Sequence, residues 1–189
     1  MGETTPKPEL TLHRTVVLVG MMGAGKTAIG RALATRLGVE MRDSDAEIVD
    51  SARMTIEEIF SRYGEAFFRE KEGQVIARLL EGPPCVLSTG GGAWLSEDNR
   101  AMMNAKASVL WLQADLDLLW ARVRHKTTRP LLRTADPKAT LAKLLEGRAP
   151  LYALAPLCVH VDPTWSIEAT TDRVLEHLIA AGVIMPAQG

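Results

Sequence analysis

Gly20-Met21-Met22-Gly23-Ala24-Gly25-Lys26-Thr27 reads G-x-x-x-x-G-K-[ST], and its neighbours decide what that pattern means. The β-branched apolar run Thr15-Val16-Val17-Leu18-Val19 precedes it, and a helical pattern from Ala28 to Leu37 follows. Strand, glycine loop and helix in that order make an anion cradle. The glycines let the backbone curl so that several N–H groups converge, and the helix adds the positive end of its dipole. In such a loop Lys26 reaches the outer phosphates of a nucleotide, and the Thr27 hydroxyl is offered to Mg²⁺. What accepts or exchanges the phosphate has to be read from the rest of the chain.

Outward from the loop, apolar strands alternate with helices. Gly38 stops the first helix, and a short strand ends in Asp43-Ser44-Asp45. Thr55-Ile56-Glu57-Glu58 is a capping box before Ile59 and Phe60, and Gly64 to Leu80 is a second amphipathic stretch. Cys85 to Thr89 is a continuous apolar strand that runs into Gly90-Gly91-Gly92; Ser96 to Ala105 reads as helix and Ser108 to Leu112 as strand. Leu116, Leu119, Trp120 and Val123 share a helical face, Asp136-Pro137 is an N-cap with proline at the first helical position, and Leu157 to Val161 and Ser166 to Ala181 are the last strand and helix. Fully apolar strands between helices predict an α/β fold, a doubly wound parallel sheet of about five strands in three layers with helices on both faces. Ligands bind such sheets at the carboxyl ends of the strands. The glycine loop, the Asp43 and Asp45 pair and the glycine triplet all fall there.

Composition narrows the class further. A chain of 189 residues, 47% hydrophobic, supports one core without disulfides or structural metal. A formal charge of −1 provides no field for nucleic acid or an anionic membrane, so the expected partners are small molecules. Cys85 and Cys158 both lie in apolar runs and are expected to be buried thiols. The opening MGETTPKPEL is polar and proline-containing, and it is read as a flexible leader over 1–14, with a tail at 183–189 and a cytoplasmic location. His13, His125, His160 and His177 have no metal-ligand spacing.

Phosphoryl transfer needs an anion cradle, a metal, a group that orients the nucleophile, and cations that follow the shifting charge. Asp43 and Asp45 are candidates for metal and acceptor, with a plain helix cap as the competing account. Arg69, after Phe67-Phe68, is either a ligand cation or an exposed helix arginine. The basic segment Arg124-His125-Lys126-Thr127-Thr128-Arg129-Pro130 is a mobile lid or a solvated loop. Gly90-Gly91-Gly92 permits close approach of a ligand or is simply a flexible connection. Arg148, between Gly147 and Pro150, is expected at a helix break and aimed inward.

GMMGAGKTAIGRALA, DSDAEI, FFREKE, LSTGGG, RPLL and GRAPLY, in this order over residues 16–162, together resemble the shikimate kinase family. The loop is common to many families; the ordered set of six is specific. The resemblance implies a small P-loop kinase with a short lid at about 124–136, acceptor-binding helices at about 43–82, and a single domain over 15–182. It implies transfer of the γ-phosphate of ATP to the 3-hydroxyl of shikimate, with Mg²⁺; a monomer is expected. Position by position, Gly23, Ala24, Gly25, Lys26, Thr27 and Ala28 would hold the ATP phosphates, with Thr27 and Asp43 serving the metal. Asp45 would orient or deprotonate the attacking hydroxyl, and Arg69 and Arg148 would grip the carboxylate. Gly90, Gly91 and Gly92 would touch the ring, Arg129 would be the lid arginine, and Arg124 is taken as the adenine contact. Asp162-Pro163-Thr164-Trp165-Ser166 departs from the family in lacking an arginine or glutamine near the adenine, and Trp165 offers a stacking surface instead. A gluconate-type or nucleoside monophosphate kinase is the alternative. A GTPase would need an Asn-Lys-x-Asp signature, which the chain lacks.

Overall fold

The computed structural model describes residues 10–126 and 130–186. The strands are β1 (Leu10–Leu12), β2 (Val16–Val19), β3 (Met41–Asp43), β4 (Val86–Ser88), β5 (Ser108–Gln113), β6 (Leu157–His160) and β7 (Ile184–Pro186). The helices are α1 (Lys26–Leu37), α2 (Ser44–Ala52), α3 (Ile56–Leu80), α4 (Glu97–Lys106), α5 (Leu116–Val123), α6 (Pro137–Tyr152) and α7 (Ile167–Ala180). Five of the strands form a parallel sheet in the order β3-β4-β2-β5-β6. All four residues of β2 are fully buried although their side chains alternate in direction, so both faces of the sheet are covered at its centre. The chain builds to one side of β2 with β3 and β4, then to the other with β5 and β6. The reversal falls at β2, where a crevice opens beyond the strand ends.

Local sequence accounts for most boundaries. Thr55 and Glu58 form the expected capping box, with Glu58 N–H donating to Thr55 Oγ1 and Thr55 N–H to Glu58 Oε2. Asp136 caps α6 through Ala139 N–H. Helix α3 is interrupted at Gly64, whose φ of 82° and ψ of 174° separate the two amphipathic stretches seen in the sequence. Ile48, Ile59, Phe68 and Val75 form a small second core between α2 and α3, apart from the main core around the sheet. That packing holds the two helices that border one end of the crevice.

Three expectations are corrected. Part of the leader assigned to 1–14 is strand: β1 pairs antiparallel with β7, from the tail, with Leu12 opposite Ile184 and both side chains buried. The pairing joins residues more than 170 positions apart, beyond the reach of local pattern. Cys85 is buried as expected, but Cys158 is exposed. β6 is an edge strand with one covered face, and Val159 rather than Cys158 points into it. Finally, α6 does not break before Arg148 but continues through Pro150. The proline is exposed and close to the helix end, where one forfeited hydrogen bond is tolerable. Buried Tyr152 and the Trp94 Nε1–H bond to Leu151 O (2.8 Å) fix that last turn.

Candidate active site

One cleft of about 1490 Å³ runs from the glycine loop to the space between α2, α3 and the glycine triplet. At its first end, Gly25 takes a left-handed conformation (φ 99°) at the N-cap of α1 and supplies no capping side chain; the first turn holds no acidic residue. An uncapped helix N-terminus beside a curled loop is an anion site. Lys26 Nζ lies across the loop, donating to Gly20 O (2.7 Å) and Met21 O (3.0 Å). Ala24 is packed inside, whereas Thr27 and Ala28 are exposed to the cleft.

The arginine that reaches this loop is Arg122, which the sequence reading missed. Its Nη1 donates to Gly23 O (3.0 Å) and Ala24 O (3.1 Å). Arg124, expected near the nucleotide, is instead the C-cap of α5, is exposed, and turns its Nε to His125. Helical geometry explains the difference. Leu119 and Val123 face the core, and Arg122 emerges beside them on the side where the loop packs, while residue 124 lies past the last helical turn. Arg129 falls outside the described residues. Lys126, Pro130 and Arg133 on either side of it border the cleft, and Arg133 Nη1 pairs with Glu57 Oε1 at 3.0 Å. Half-buried Trp165 borders the cleft too, with Arg173 Cζ 5.6 Å from its ring centroid.

At the other end, parallel register sets Asp43 beside Ser88, so α2 begins next to the turn that follows β4. Asp43 is indeed a helix cap: its Oδ1 accepts from Asp45 N–H (2.9 Å) and Ala46 N–H (3.1 Å). Capping turns the chain so that both carboxylates border the cleft. The glycine triplet gathers the remaining groups. A Cβ at Gly90 would stand 2.8 Å from Asp45 Oδ1, one at Gly91 3.3 Å from Arg148 Nη1, and one at Gly92 2.3 Å from Arg69 Nη2. Each glycine thus makes room for a different one of the three predicted acceptor groups, and the structure brings Asp45, Arg69 and Arg148 to one corner.

Two further side chains support that corner and were not singled out from sequence. Glu72 is wholly buried and its Oε1 accepts from Arg69 Nη1 at 2.8 Å. Its Oε2 is, among the described residues, the one buried side-chain nitrogen or oxygen with no hydrogen-bond partner. Burial raises its pKa above the ordinary carboxylate value, and the Arg69 charge opposes that rise. Tyr152 donates its hydroxyl proton to Gly91 O, so it ties α6 to the triplet. The spacing of Arg69 and Glu72, three apart on a helix, was the available signal for the first; the second lay within GRAPLY.

A phosphate cradle at one end and, at the other, one aspartate with two guanidiniums match the residues that the six motifs carry. The sequence model of shikimate kinase matches residues 22–179. The chain belongs to the shikimate kinase family. A shikimate kinase of Ruegeria pomeroyi is 66% identical over 167 residues, covering 88% of this chain and 86% of that protein. One from Cereibacter sphaeroides is 59% identical over 88% of this chain and 83% of its own. Among solved structures, shikimate kinase from Acinetobacter baumannii in complex with shikimate superposes with a TM-score of 0.84 at 35% identity, covering 89% of this chain and 94% of that one. The five-stranded parallel sheet is therefore that of a P-loop kinase.

Proposed function

We propose that the protein transfers the γ-phosphoryl group of ATP to the 3-hydroxyl of shikimate, giving shikimate 3-phosphate and ADP. The observation that carries this reading is the corner in which Gly90, Gly91 and Gly92 face Asp45, Arg148 and Arg69. Shikimate is a triol with one carboxylate. A guanidinium fork suits the carboxylate, and an ionised aspartate, which only accepts, suits hydroxyls. A gluconate-type or nucleoside monophosphate kinase also takes an anionic acceptor that arginines can hold, so a panel of acceptors is what separates them.

In the reaction the 3-hydroxyl oxygen forms a bond to the γ-phosphorus while the bridging P–O bond breaks, and its electron pair stays on ADP. Asp45 orients the hydroxyl and takes its proton. The loop from Gly23 to Ala28 and Lys26 hold the phosphates, and Arg122, already on the loop carbonyls, flanks the nucleotide. Arg129 follows the charge as it builds on the transferred group, and the segment at about 124–136 acts as the lid that excludes water.

The donors fit Mg²⁺. Among the described residues no cluster of three or more histidine, cysteine or acidic side chains is placed to cage a metal. Mg²⁺ bound to nucleotide needs few protein ligands beyond phosphate and water. Thr27 would ligate it and Asp43 would hold its water shell; when bound, it neutralises phosphate charge. The same reading takes the protein as a cytoplasmic monomer acting on small molecules, a single domain over 15–182, without nucleic acid or membrane partners. Among the described residues no helix is long and apolar enough to cross a membrane. The test is ADP release on mixing the protein with ATP, Mg²⁺ and shikimate; release no faster than without shikimate rejects the reading.

A further inference from the structure

Residues 65, 68, 69 and 72 of α3 form one helical stripe along the cleft. Arg69 sits in its middle with a carboxylate on either side. Glu72 Oε1 is 2.8 Å from Nη1, and Glu65 Oε1 is 3.5 Å from Nη2. The two acids are unlike each other: the Glu72 side chain is 1% exposed and that of Glu65 is 68% exposed. With Nη1 committed to a buried partner, the outer amine Nη2 is what Arg69 has to offer an incoming carboxylate. Glu65 faces that amine.

Backbone geometry puts it there. Gly64 interrupts α3 with φ 82°, and a Cβ at that position would meet nothing within 4 Å, so the glycine serves the dihedral angle and not space. The helix resumes at Glu65, which places this residue one turn before Arg69 on the face that borders the cleft.

We propose that Glu65 is a resident competitor for Arg69, which a substrate carboxylate must displace, and that it thereby sets the affinity for carboxylate acceptors. This rests on the assignment of Arg69 as the carboxylate anchor. Asp45 and Glu65 lie beside Arg69 and Arg148 while Glu72 holds Arg69 from behind, so an incoming carboxylate meets like charge at the anchor itself. An exposed i,i+4 pair is weak, and a displaced Glu65 regains water, so the exchange costs little for a ligand that also satisfies Asp45 through hydroxyls. A carboxylate without hydroxyls lacks that compensation and binds more weakly.

Glu65→Gln keeps the shape and removes the charge. Its KM for shikimate is expected to fall roughly threefold to fivefold, the size of effect of one like charge a few ångströms away in a solvated site, with kcat and the KM for ATP unchanged. Benzoate, a carboxylate without hydroxyls, should bind Glu65→Gln more tightly by a similar factor, read as thermal protection. Glu70→Gln, at an exposed glutamate whose Oε1 accepts from Gln74, should leave every constant as in the parent. Benzoate protection reads the Arg69 corner whether or not phosphoryl transfer occurs. A gain in Glu65→Gln without shikimate turnover upholds the competitor and rejects the acceptor assignment. An unchanged or weaker affinity for benzoate and shikimate in Glu65→Gln overturns the competitor, even in a fully active enzyme.

Discussion

Asp43 and Asp45 stand two residues apart and differ in what they touch. Asp43 spends one oxygen on the first turn of α2, while Asp45 meets the glycine triplet. Asp45→Asn should therefore lower kcat by about 10²- to 10⁴-fold, the usual worth of a positioned acid or base, and leave ATP affinity nearly intact. ATP binding that collapsed along with turnover would show that the two acids share the nucleotide end. Glu72 poses a different question, because its burial works against its charge. Its folded pKa lies above the unfolded value, near 4.3, so the native state is favoured by the protonated form. That contribution is fully present below about pH 4 and is lost as pH rises through the raised folded value. Glu72→Gln cannot titrate, so its Tm relative to the parent should climb as pH goes from about 4 to 7. Parallel Tm curves for the two proteins would mean an unperturbed carboxyl.

The turn after β4 matters as an element because three separate parts of the chain converge on it: α2 with Asp45, α3 with Arg69 and α6 with Arg148. Gly92→Ala would place a methyl group within 2.6 Å of three guanidinium atoms of Arg69. The far end of a flexible side chain yields more readily than backbone, so the fold should persist while Arg69 leaves its place against Glu72. The expected result is a KM for shikimate raised about tenfold or more, as when a charge-assisted contact is lost, with the KM for ATP unchanged. Steady-state kinetics with each substrate varied in turn checks this; equal rises in both constants would point to general collapse of the cleft. The same elements show what sequence could convey. The glycine loop, the Thr55 capping box and the break at Gly64 were legible because each is decided by residues within a few positions. Arg122 was missed because choosing between it and Arg124 requires knowing where α5 ends and which side of it the loop covers. Glu72 could not be told from the other charges of FFREKE by local pattern, because its burial is set by packing. Pro150 suggested a break that the bond from Trp94 to Leu151 O prevents from across the fold.

Over the whole molecule the cleft lies between parts that the sheet order separates, and chain ends that looked dispensable help hold them. β1 and β7 form their own two-stranded sheet, where β1 contacts α1, which carries the phosphate loop, and β7 contacts α7, which follows Trp165. Leu12 and Ile184 are partners in that ladder and both belong to the main core. Leu12→Ala and Ile184→Ala should each cost about 2–4 kcal/mol of stability in denaturant unfolding, the range for a buried aliphatic side chain cut to alanine. Because the two side chains adjoin, the double variant should fall short of the sum of the singles by at least about 0.5 kcal/mol. Turnover at saturating substrate should survive in all three where they remain folded, since neither residue borders the cleft. Strict additivity would mean that the two ends are buried separately and do not fasten α1 to α7. A loss of kcat at full folding would instead mean that the ladder tunes the phosphate loop itself.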